Sequence, residues 1–99
     1  MNGARPNPLQ AHAVVTVGAT AQTLSQMGYT LHPNTDVLQI HVEGADVRVT
    51  VNGTNPTGSL GVPWSSGTLW ELSAVEAGVA KFIREGALNA TLQIAAFTA

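Results

Sequence analysis

The clearest alternation of apolar and polar positions lies at the middle of the chain, over Asp46 to Pro56, DVRVTVNGTNP. Val47, Val49 and Val51 fall on one side of an extended segment, and Arg48, Thr50 and Asn52 on the other. Period-two alternation in β-branched residues predicts a strand with one dry face. Asn52-Gly53 ends it with residues that tolerate positive φ. Pro56, which has no N–H to donate, bars central pairing beyond that point. Upstream, Val37 to Glu43 predicts a second strand, with Leu38, Ile40 and Val42 on one face. Gly44-Ala45 is the only break between the two, and a gap that short predicts a β-hairpin whose dry face other strands must cover.

The same reading extends to both ends. His12 to Gly18 predicts a strand, closed by Gly18-Ala19-Thr20. In Ala21 to Gly28, Leu24 and Met27 are three apart. That spacing fits either a short helical turn or a loop that tucks two apolar residues over one end of the core. Pro33-Asn34 marks a turn. Thr54 to Ser66 is the longest irregular stretch; Leu60, Val62 and Trp64 alternate within it, predicting a short edge strand interrupted by Pro63. Thr68 to Ser73 predicts a strand with Trp70 and Leu72 on one face, Ala74 to Gly78 a turn, and Val79 to Glu85 a strand with Ala80, Phe82 and Arg84 together. After the Gly86-Ala87 turn, Asn89 to Phe97 predicts the last strand, with Leu92, Ile94 and Ala96 inward. Six or seven short strands spaced by turn signals point to an all-β fold, a small antiparallel β-sandwich or β-barrel. No helix-length pattern lies between strands, which argues against parallel βαβ units. Met1 to Ala11, with Pro6 and Pro8, reads as an extended N-terminal arm, and residues 12–99 as a single domain of a size that buries only a small core.

Composition sharpens the surface. Of the 99 residues only 10 % are charged, against roughly 25 % in an average soluble domain. Thr, Ser, Asn, Gln and Gly stand in for the missing charge, and such a surface is desolvated at lower cost than an ionic one. It suits a protein that packs against copies of itself or a partner, and equally a stable β domain with a neutral exterior. The net charge is −2, with no run of either sign, so the basic patch that nucleic-acid binding requires is missing. A basic amphipathic stretch for a membrane surface is missing too, and no apolar run is long enough to span a bilayer. There is no cysteine. The first residues carry no apolar signal core, so the expectation is a protein kept in a cytoplasm unless a particle carries it out.

Candidate chemistry is thin. His41 and Glu43 share a strand face, and with His12, His32 and Asp36 they could form a metal site, but tight local ligand pairs are absent and no metal is expected. Glu71, Glu76 and Glu85 are too dispersed for a glycosidase pair. Ser65, Ser66 and Ser73 lack the glycines of a nucleophile elbow, and Gly58, Gly61 and Gly67 lack the lysine of a phosphate loop. No catalytic residue and no cofactor is expected. Asn52-Gly53-Thr54 and Asn89-Ala90-Thr91 match the glycosylation tripeptide, and with no leader expected they read as chance matches in a Thr- and Asn-rich chain. Trp70 reads as core. Trp64 has two readings, an exposed anchor for an interface or a sugar, and a lid over one end of the core. Arg48 and Arg84 are either solvated strand-face residues or hydrogen-bonded subunit contacts. Arg5, Pro6, Pro8, Leu60, Trp64, Arg48 and Arg84 are the candidate partner-interface residues.

Taken together, the run VLQIHVEGADVRVTVNGTNPTGSLG, a Trp-Glu-Leu strand and AKFIREGALNATLQIAAF resembles small all-β virion proteins of tailed bacteriophages, several of which are capsid decoration (cement) proteins. The resemblance covers about residues 14 to 97 and rests on turn and strand patterns. It implies a non-enzymatic protein that binds the outer surface of the head and bridges major capsid protein subunits, commonly as a homotrimer. The location implied is the virion, and the host cytoplasm during assembly. The arm and the Thr54 to Ser66 loop would then reach adjacent subunits. Rival readings are another virion role, at the head–tail junction, tail or fibre, and a carbohydrate-binding module using Trp64.

Overall fold

A computed structural model describes residues 12–98 in full and Asn7 and Pro8 by their backbone. Nine strands are described: β1 (Asn7–Pro8), β2 (Ala13–Val17), β3 (Gln22–Thr23), β4 (Val37–Glu43), β5 (Val47–Thr50), β6 (Val62–Trp64), β7 (Leu69–Ser73), β8 (Lys81–Arg84) and β9 (Ala90–Thr98), with one helix, α1 (Ala74–Val79), between β7 and β8. They form two antiparallel sheets. The first is five-stranded, with β9 flanked on one side by β4 and then β7, and on the other by β1 and β2. The second is four-stranded, in the order β3-β8-β5-β6. The all-β sandwich is therefore the observed architecture, and its seven longer strands fall where the alternation places them.

The predicted central hairpin is not formed. β4 pairs with β9 and β7, whereas β5 pairs with β8 and β6, so residues 44–46 carry the chain from one sheet to the other. Gly44, at φ 83°, turns the strand out of its sheet. The Asp46 carbonyl then accepts from the Glu85 N–H at 3.0 Å, and its side chain from the Ser66 N–H at 2.8 Å. The reason is the distribution of apolar side chains. In one sheet, two dry faces would lie side by side and both would need a cover. Placed in opposite sheets, Leu38, Ile40 and Val42 cover Val47 and Val49 directly, and all five are essentially inaccessible.

Phe82 from β8 and Leu92 and Ile94 from β9 complete this core. Val51 does not belong to it, because β5 ends at Thr50. At one end, Leu24, Tyr29 and Ala77 close the sandwich. Residues 24–28 form one hydrogen-bonded turn after β3: the Met27 N–H donates to the Thr23 carbonyl at 3.1 Å, the Thr23 hydroxyl accepts from the Gln26 N–H at 3.2 Å, and Gly28 at φ 97° ends it. The short turn is thus observed with Thr23 rather than Thr20 as its cap, and it tucks Leu24 and Met27 against the core. The Ala74 to Gly78 turn is instead helical. Ser73 accepts from the Glu76 N–H at 3.2 Å, and Glu76 accepts from the Ser73 N–H at 3.0 Å, a reciprocal capping box that starts α1. Pro8 lies in β1 opposite Phe97, where an edge position demands no N–H from it.

Two outcomes follow for stability. Phe82→Ala is expected to cost about 3–5 kcal/mol, read by denaturant unfolding, because the emptied site is closed in from both sheets. Burial raises the Tyr29 hydroxyl above its ordinary value of 10.0. The associated stability is whole below pH 10.0 and is lost as the pH climbs through the raised value, so an alkaline limb in the unfolding midpoint is expected that Tyr29→Phe flattens.

Candidate functional site

The site is built at the edge of the four-stranded sheet where β6 leaves the core. Val62 stands opposite Val49, and Trp64 opposite Val47, so all four point to the inner face. Val47, Val49 and Trp64 are buried there, but Val62 is 55 % exposed and Val51 43 %. The inner face of this sheet thus runs past its cover. The result is an open groove of about 270 Å³ lined by Val49, Thr50, Val51, Asn52, Gly61, Val62 and Trp64. Val62→Asp is expected to leave the unfolding midpoint nearly unchanged, within about 0.5 kcal/mol, because an exposed position tolerates charge.

Trp64 forms the inner wall of this groove and is only 3 % exposed, so the exposed-anchor reading is corrected. Its ring stacks on Trp70 at a centroid distance of 4.7 Å with 4° between planes, and meets Phe82 edge to face at 5.7 Å. Trp70 is half-buried, and its Nε1–H donates to the Thr68 hydroxyl at 2.7 Å. The pair ties the edge of one sheet to the edge of the other. A sugar platform needs a free ring face, and Trp64 has none to give.

The outer wall is positioned by Arg48. Its Nε donates to Glu85 Oε1 at 3.1 Å and its Nη1 to the Gly61 carbonyl at 3.0 Å. Gly61 lies at φ 122°, and a Cβ there would meet the Val49 carbonyl oxygen at 3.1 Å and the Val49 nitrogen at 3.2 Å. The loop between β5 and β6 is consequently folded back on its own sheet. Pro56 is buried, Lys81 Nζ donates to Asn55 Oδ1 at 2.8 Å, and a Cβ on Gly58 would meet the Glu85 carbonyl oxygen at 3.1 Å. The Thr54 to Ser66 stretch thus lies along its own sheet, with Pro56 and Trp64 buried and most of its other residues, Leu60 among them, exposed. Gly61→Ala is expected to lower stability by more than about 1 kcal/mol in thermal unfolding, since both backbone angle and space are refused to a Cβ.

Arg48 and Trp64 thus flank the Gly61 strand end from opposite faces of the sheet, Arg48 through its bond to the Gly61 carbonyl and Trp64 as groove lining, while Leu60 precedes Gly61 with its side chain exposed. Arg84 is not; its Nη1 donates to Asn89 Oδ1 at 2.7 Å, next to the turn that leads into β9. Arg5 and Pro6 lie outside the described residues. Val51 and Val62 were not singled out as interface residues, because alternation alone gives both to the core.

The other polar groups are held locally. His41 Nδ1 is 3.4 Å from Glu43 Oε2, and Gln93 donates to Glu43 Oε1 at 3.2 Å. His12 and His41 border one shallow groove on the outer face of the five-stranded sheet, while His32 Nδ1 accepts from the Asn34 N–H, so the fold does not assemble the three histidines. Among the described residues no group of three or more His, Asp or Glu is close enough to share an ion. Glu71 accepts from Gln39, Glu76 caps α1 and Glu85 holds Arg48. No family model, curated protein or solved structure matches the chain.

Proposed function

We propose that this protein is a docking component of a larger assembly, acting through the open groove at the β5–β6 edge. In the form implied by the resemblance over residues 14 to 97, it is a capsid decoration protein of a tailed bacteriophage. It would bind the outer surface of the head and bridge major capsid protein subunits, as a homo-oligomer of the trimeric kind. The carrying observation is that Val62, inward-pointing by register, lacks a cover in the single chain, as does Val51, which lines the same groove just past the end of β5. An apolar side chain from a partner would complete what the second sheet leaves open, with Trp64 as its inner wall. The low charge of the chain keeps the desolvation cost of such a contact small. Binding to the assembled shell and not to free subunits would stabilise the shell by mass action.

The rival reading, a head–tail, tail or fibre component, differs in stoichiometry. Copy number per particle separates the two, since a decoration protein is present on the scale of the capsid lattice.

The test uses particles lacking the protein. Added wild-type protein is expected to bind them and raise their resistance to heat, and Val62→Asp to weaken that binding by about tenfold or more. Wild-type protein that neither binds nor protects overturns the proposal; Val62→Asp that binds normally removes the groove from it.

A further inference from the structure

The turn that closes β5 carries an Asn-Gly pair at the rim of the groove, Asn52-Gly53. We infer that folding builds this pair into a site of spontaneous, succinimide-mediated modification. Asn52 is exposed, and its Oδ1 accepts the Thr54 N–H at 3.1 Å. That hydrogen bond closes a ring of atoms which includes the Gly53 nitrogen, so the side-chain carbonyl carbon is folded toward the nitrogen that must attack it. The space beside Gly53 is open, with nothing within 4 Å of where a Cβ would stand.

The reaction needs only water. The deprotonated Gly53 nitrogen adds to Asn52 Cγ, and a C–N bond forms. Negative charge gathers on Oδ1, where the Thr54 N–H already points, as a fixed donor does toward a developing oxyanion. The C–Nδ2 bond then breaks and ammonia leaves, taking up a proton. Water opens the resulting succinimide at either carbonyl, giving aspartate or isoaspartate.

The other asparagines of the described region lack one or more of these features. The nitrogen after Asn55 and after Asn7 belongs to proline and has no proton to lose. Asn89 Oδ1 is held by Arg84 at 2.7 Å, and alanine follows it. Asn34 precedes the branched, buried Thr35. Asn2-Gly3 shares the sequence and lies outside the described residues, which makes it an internal reference. Conversion at Asn52 would take the net charge from −2 to −3 and set a carboxylate at the groove rim, whatever occupies the groove.

The test ages the full-length protein in mildly alkaline buffer, folded and in urea at the same pH. Peptide mapping by mass spectrometry then follows aspartate and isoaspartate at Asn52 and Asn2. The ratio of the Asn52 rate to the Asn2 rate is expected to be higher in the folded protein than in the unfolded chain. An equal or lower ratio in the folded protein overturns the inference, because the turn would then add nothing to the pair's intrinsic reactivity or would protect the amide.

Discussion

The structure depends on one arrangement: the apolar face of β4 laid against the apolar face of β5 across the sandwich. These strands adjoin in sequence, yet they contribute to different sheets. Once residues 44–46 cross over, β4 must find partners in β7 and β9, and β5 in β6 and β8. Each sheet is then assembled from strands distant in sequence. Hydrophobic burial, and not the length of the connection, selects this topology.

The crossing also determines where the core runs out. β6 pairs with β5 in register, which turns Val62 inward, but the covering strand on that side is β7, whose Trp70 reaches only as far as Trp64. The stacked indoles mark the boundary between the closed core and the open groove. On the opposite face of the same sheet, the loop after β5 provides a roof through Pro56, Gly58 and the Arg48–Gly61 hydrogen bond. The four-stranded sheet is thus covered outside by its own loop and left partly bare inside at one edge.

How much of this was legible depends on the range of the interaction. Alternation located β2, β4, β5, β7, β8 and β9 and assigned Leu38, Ile40, Val42, Phe82, Leu92 and Ile94 inward, because period two is local and reports burial directly. The capping box was also local and readable in Ser73 and Glu76, but six residues of helix carry too little periodicity to stand out from a turn. Pairing was beyond reach, because Gly44-Ala45 is compatible with a hairpin and with a crossing, and only the summed burial of both faces decides. The groove was illegible for a related reason. Val51 and Val62 look like core residues, and their exposure reflects where a neighbouring strand stops.

The chain between β5 and β6 looks like the segment most open to trimming or extension, as surface connections usually are. Its anchoring says otherwise. Pro56, Gly58 and Gly61 each meet a fixed point on the sheet beneath, so one residue gained or lost would put the later anchors out of step with the earlier ones. Thr57, Ser59 and Leu60 sit between these anchors and are exposed. This irregular segment is therefore one whose length is constrained and whose tip is free to change its chemistry.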